Sequence, residues 1–178
     1  MPSATFIGQR PEDFIFGYDE TEELCKMIKK EMLSQICWLY EEKGVRVFYS
    51  GCDLGVDLWA AEILLDLRKD GYSDLKLVCV LPYLGHDEKW TFAQRERLCR
   101  ILRDADYKII LPNINLGVVR KYRKFFMIDC SNYLITVHEN PASKKKRTTP
   151  TMAYAMKNEK NIIYINPYTA KVFANFNM

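Results

Sequence analysis

Ser50-Gly51-Cys52-Asp53-Leu54-Gly55-Val56-Asp57-Leu58-Trp59-Ala60-Ala61-Glu62 follows a β-branched and aromatic run, Val45-Arg46-Val47-Phe48-Tyr49, and opens an apolar helical pattern that extends to about Lys69. Strand, small-residue turn and helix in this order present backbone N–H groups to a phosphate in α/β folds. Gly51 and Gly55 are expected to let the chain turn sharply and a ligand approach the backbone closely. Asp57 then brings a carboxylate to the start of the helix, where a sugar hydroxyl would find an acceptor.

Outward from this stretch, apolar runs alternate with helical patterns along the whole chain. Strands are expected at Thr5–Ile7, Val45–Tyr49, Leu75–Leu81, Tyr107–Leu111, Tyr133–Val137 and Asn161–Ile165. Helices are expected at Asp19–Lys43, Leu54–Lys69, Glu88–Arg103, Leu116–Cys130 and Pro150–Asn158. The strands are continuously apolar, as burial on both faces requires, so the fold class is α/β: a mainly parallel sheet of about five to seven strands with helices on both faces. In such sheets ligands bind beyond the carboxyl ends of the strands at a topological switch point. That rule selects Gly8–Arg10, Ser50–Asp57, Pro82–His86, Pro112–Asn115 and His138–Thr149.

The chain's 178 residues suit one well-packed domain, 1–178, and are too few for two ordinary ones. A formal net charge of +3 gives no argument for a nucleic-acid partner. No window approaches the ~18 continuous apolar residues of a membrane helix, and Met1-Pro2-Ser3-Ala4-Thr5-Phe6-Ile7-Gly8 is expected to be a first strand rather than a signal peptide. Six scattered cysteines without a C-x-x-C pair are expected to be reduced, buried thiols, placing the protein in the cytoplasm.

Several residues could serve a ligand. Arg10, after Gly8, offers a guanidinium for a phosphate or carboxylate. Trp59 could stack on a base, although its apolar setting favours the core. Asp57 and Glu62 are five apart, roughly 140° around a helix, so they are not a paired acid and base on one face. Tyr83 or Trp90 could form an aromatic wall. His86 and His138 have no partner at metal-ligand spacing, so no metal site is expected. In Arg120-Lys121-Tyr122-Arg123-Lys124, cations near a helix start oppose the dipole and would welcome an anion, Arg123 most of all. Asp129 and Ser131 could orient that group. Thr149 as N-cap before Pro150 marks a helix start, and Thr148, Thr149 and the preceding Lys144–Arg147 would suit a phosphate or be a solvated loop. No serine or cysteine has a base beside it that would make it a nucleophile.

On these residues the chain resembles the SLOG superfamily, specifically its YpsA-type branch. The resemblance runs through Gly8-x-Arg10, Ser50-Gly51-x3-Gly55-x-Asp57-x-Trp59-Ala60-Ala61-Glu62 and Pro82 to Trp90. It continues in Arg123-x3-Met127-x-Asp129-x-Ser131-x2-Leu134-Ile135 and Thr148-x2-Thr151-x2-Tyr154-Ala155. It implies a Rossmann-like three-layer α/β/α sandwich and binding of nucleotide-derived ligands such as NAD- or ADP-ribose-like molecules. Gly55 and Asp57 would be the ligand pair, with Arg10 and Ser50 beside them. The chain departs from the family where Lys146-Arg147-Thr148 replaces a Gly-Gly-Thr loop, and where Lys124 replaces an asparagine. The cytokinin-activating phosphoribohydrolases of the superfamily carry a glutamate after their Gly-x-Gly-Thr loop, whereas Thr149-Pro150-Thr151-Met152 has no acid.

The expected function is therefore binding of a nucleotide-derived small molecule in a sensing, sequestering or regulatory role, without a cofactor. The expected ligand-binding set is Gly8, Arg10, Ser50, Gly51, Gly55, Asp57, Trp59, Glu62, Tyr83, Arg123, Asp129, Thr148 and Thr149. One alternative is N-glycosidic hydrolysis of a nucleotide, with Glu62 or Asp57 acting on an oxocarbenium-like transition state. Another is a protein-interaction module with a vestigial pocket. Apolar Val172, Phe173 and Phe176 in Tyr168–Met178 must pack on their own domain or on a partner, which makes a homodimer an expectation.

Overall fold

A computed structural model describes residues 1–112, 116–139 and 148–176. The chain runs β1 (Ser3–Gly8), α1 (Glu23–Lys43), β2 (Val47–Ser50), α2 (Val56–Lys69), β3 (Lys76–Leu81), α3 (Phe92–Asp104) and β4 (Tyr107–Ile110). It continues through α4 (Leu116–Asp129), β5 (Tyr133–Val137), α5 (Pro150–Lys157), β6 (Asn161–Ile165) and β7 (Val172–Asn175). The sheet order is β4-β3-β2-β1-β5-β6-β7, parallel except for the β6–β7 pair. Growth of the sheet reverses between β1 and β5, which is the switch point at which α/β folds bind ligands.

Each face of the sheet carries its own core. Phe6 of β1, Phe48 of β2, Cys79 of β3 and Ile135 of β5 pack under Ile28, Met32 and Ile36 of α1, Leu58 and Leu64 of α2, and Leu98 and Ile101 of α3. On the opposite face, Ile7, Leu134 and Ile162 meet Ile128 of α4 with Met152 and Ala155 of α5. Val78 and Val80 meet Val119 and Met127 there. The three layers are thus α1–α3, the sheet, and α4–α5. This is the expected α/β/α sandwich, and the continuous apolar strands are its cause.

The boundaries move where capping decides them. The third helix begins at Phe92 rather than Glu88, because Thr91 and Gln94 form a reciprocal capping box and Asp87–Trp90 close a turn first. The strand β7 has no counterpart among the expected elements. Its residues pair Ile165 with Val172 and Ile162 with Asn175, and Phe176 beyond it stacks on Trp38 with ring centroids 5.5 Å apart. The tail thus touches its own domain, while Val172, Phe173 and Phe176 remain 38–49% exposed. Cys99 departs from the expectation of buried thiols: it is exposed on α3, while Cys25, Cys52 and Cys79 are buried. Among the described residues no helix is long and apolar enough to cross a membrane.

Candidate ligand-binding cleft

The turn after β2 is built by interlocking small residues. Ser50, fully buried, donates its hydroxyl to the Asp57 carbonyl at 2.7 Å and accepts from the Cys52 N–H at 3.1 Å. Gly55 has φ +90°, and a Cβ there would lie 2.8 Å from the Gln9 carbonyl. A Cβ on Gly51 would lie 2.5 Å from Asp57 Oδ2 and 3.0 Å from the Arg123 guanidinium carbon. A Cβ on Gly8 would collide with Val56. These glycines let the end of β1, the turn and α2 close on one another. Close approach of the chain to itself is the role the geometry gives them, where the sequence suggested approach of a ligand.

Arg123, from the second turn of α4, is 0% exposed. It donates from Nη1 to the Gly51 carbonyl at 2.7 Å and from Nη2 to Asp53. It stands behind the wall and holds the Gly51–Asp53 turn, so an anion in solution does not reach it. Two other guanidinia take the exposed side of Asp53. Arg10 Nη2 lies 3.7 Å from Oδ2 and Arg120 Nη1 lies 3.9 Å from Oδ1, with side chains 44% and 37% exposed. Both distances exceed a hydrogen bond, so these donors are oriented by charge and remain available to an anion.

Asp53, Arg10 and Arg120 separate two cavities that share them. The larger, about 480 Å³, has Tyr83, His86 and Trp90 in its wall. His86 stands edge-on to Trp90 at 5.4 Å and to Tyr83 at 6.4 Å. The smaller, about 190 Å³, reaches Gly8, Asp57 and Lys124. Burial pushes the Asp57 carboxyl up to about 6, with the Arg123 charge pulling it down and the Asp53 carboxylate pushing it up. Burial acts on Asp53 in the same direction, but the Arg123 charge and hydrogen bond outweigh it and hold Asp53 below the usual carboxylate range. Burial also lowers the His86 imidazole, against the pull of Asp53. The site thus couples an ionised carboxylate clamped by cations with a second carboxyl that can carry a proton near neutrality.

A family model, the YspA SLOG family, matches residues 4–170. The chain belongs to that family. Similar proteins include a UPF0398 protein of Bacillus cereus, 33% identical over 82% of this chain and 79% of that protein. UPF0398 protein YpsA of Bacillus subtilis is 28% identical over 78% and 77%. With a UPF0398 protein of Staphylococcus epidermidis, 26% identical, the match spans 49% of this chain and 47% of the relative, about half the length of each. A solved structure of DNA processing protein A from Helicobacter pylori, described for its single-stranded DNA binding mode, superposes with a TM-score of 0.54. It is 15% identical and covers 92% of this chain and 64% of that one, a likeness of fold.

The remaining candidates from the sequence are distributed differently. Gly8, Arg10, Asp57 and Tyr83 line the paired cavities; Ser50, Gly51, Gly55 and Arg123 build their wall. Trp59 lies in the core against Phe14 and Phe16. Glu62 is gripped by Arg97, 2.8 Å from each of its carboxylate oxygens, and Arg97 also binds Glu20. Asp129 accepts from the Tyr154 hydroxyl at 2.9 Å and Ser131 donates to the Met127 carbonyl, so they tie α4 to α5 and cap α4 rather than orient the arginines. Thr149 caps α5 by accepting from the Met152 N–H, and neither it nor Thr148 lines either cavity. Lys146 and Arg147 lie outside the described residues. Asp53 and Arg120 are central to the cleft and absent from the sequence-based set. Arg120, Arg123 and Lys124, at i, i+3 and i+4, form one helical face, and that spacing was the available signal.

Proposed function

We propose that the cleft at the β1–β5 switch point binds a nucleotide-derived small molecule in a sensing, sequestering or regulatory role. The observation that carries this reading is the pair of half-exposed guanidinia, Arg10 and Arg120, held by Asp53 just beyond hydrogen-bond distance. A phosphate entering between them gains charge-assisted hydrogen bonds without breaking any. The rings of Tyr83 and Trp90 supply an apolar wall for a base, and Asp57 in the smaller cavity is in reach of a sugar hydroxyl. The wall of the cleft is held from within the chain, by Arg123 and Ser50.

Asp57 supports a second reading, hydrolysis of a nucleotide N-glycosidic bond, because a carboxyl titrating near 6 can deliver a proton to a leaving base at neutral pH. Glu62 is unsuited to that role while Arg97 holds both its oxygens. Calorimetry with AMP, NAD, ADP-ribose and an oligothymidylate, followed by mass spectrometry of the mixtures, separates the possibilities. Retention of an intact nucleotide, weakened roughly tenfold or more by Arg10→Ala or Arg120→Ala, is the expected result. Release of free base identifies hydrolysis, and preference for the oligonucleotide redirects the cleft to nucleic acid. Silence toward every ligand leaves a vestigial pocket.

A further inference from the structure

The outward face of α3 is an unpartnered feature among the described residues. The helix buries Leu98 and Ile101, and on its other side Phe92, Arg95, Glu96, Cys99, Arg100 and Arg103 line a groove of about 700 Å³. Phe92 is 78% exposed at one end. Arg95 and Arg103 are neutralised within the chain, by Asp87 at 3.1 Å and Asp104 at 2.9 Å. Glu96 and Arg100, one turn apart, form no ion pair or hydrogen bond among the described residues.

A partner of uniform charge would satisfy one of those two groups and repel the other. A second copy of the same helix laid antiparallel across the first satisfies both. We infer that the α3 face is an isologous homodimer interface, in which Glu96 of each copy pairs with Arg100 of the other about a two-fold axis near Leu98 and Cys99. The same register sets Phe92 against Arg103 of the second copy, ring to guanidinium, and closes the groove. It also brings the two Cys99 side chains to the axis. Self-complementarity of this kind is what a two-fold contact demands. The helix is about 20 Å long at 1.5 Å per residue, so the contact is small and the dimer is a weak, concentration-dependent one. Gln94 of the same helix lies in the cleft wall, so the contact runs beside the cleft.

The full chain at tens of micromolar is expected to show a dimer mass by light scattering that falls to a monomer on dilution. Glu96→Arg and Arg100→Glu should each weaken dimerisation at least tenfold, and an equimolar mixture of the two variants should restore it, because their charges are then opposite across the axis. A short bismaleimide should link two chains through Cys99, and Cys99→Ser should abolish the link. A monomer at 100 µM overturns the proposal, as does a dimer indifferent to both reversals or a mixture that stays monomeric. A monomer whose binding to an oligothymidylate is weakened by Arg100→Glu assigns the stripe to nucleic acid and overturns it likewise.

Discussion

Asp57→Asn is expected to stabilise the folded protein at neutral pH and to lose that advantage in acid. Burial lifts the Asp57 carboxyl from its ordinary 3.8 to about 6. A raised acid pKa means that the folded state binds the proton more tightly than the unfolded state. Folded stability therefore falls as pH rises from 3.8 toward 6 and settles at its reduced level above 6. At about 1.36 kcal/mol per decade the reduction at pH 7 is roughly 3 kcal/mol. Asn keeps the size and stays neutral at every pH, and the attraction of Arg123 is already contained in the shift, so a gain of up to about 3 kcal/mol at pH 7.5 is the expected result. The neighbouring Asp53 contributes with the opposite sign: its depressed pKa gives stability that is present above 3.8 and lost below it. Taking the difference between Asp57→Asn and the parent removes the Asp53 contribution and isolates Asp57. Urea unfolding from pH 4 to 7.5 measures it, and the carboxyl carbon resonance of Asp57 gives the titration directly. A difference that is flat across this range, or a resonance that titrates near 4, refutes the reasoning.

Arg123→Met leaves the buried Asp53 carboxylate and the Gly51 carbonyl without their donor, and should cost about 3–5 kcal/mol in denaturant unfolding. Arg123→Lys should recover only part of that, since one ammonium cannot span both acceptors as a planar fork does. Gly55→Ala should cost about 1–3 kcal/mol through its φ of +90° and its contact with the Gln9 carbonyl. A Gly55→Ala protein with parental stability would show that the turn relaxes and would refute the close-approach role.

The fold was legible because the strands carry apolar residues on both faces, which a parallel sheet covered twice requires and an amphipathic strand does not. β7 escaped because Val172-Phe173-Ala174-Asn175 is short and exposed, and takes its order from β6 rather than from a pattern of its own. The turn from Ser50 to Asp57 was legible as a junction of strand and helix with clustered carboxylates, since its glycines and acids stand together in sequence. Its working parts were not. Asp53 is defined by arginines that arrive from the end of β1 and from α4, some 40 and 70 residues away along the chain, a convergence that spacing does not encode. Glu62 shows the reverse: it lies on the right helix, one side further round, where Arg97 claims it.

The placement of β1 in the sheet sets the order in which this molecule can be completed. β1, made long before β5, lies between β2 and β5, so one of its edges waits for Tyr133–Val137, and the arginine that fixes the cleft wall comes from the helix just before that strand. Loop closure over such separations is slow, and a nascent chain shorter than this carries an open central edge. Vectorial synthesis therefore delivers the Ser50–Asp57 turn long before the guanidinium that holds it. A fragment ending before α4 keeps the Ser50 hydrogen bonds but lacks the Arg123 clamp, and a ribosome-stalled chain should gain full protease resistance across Gly51–Asp57 only after β5 has emerged.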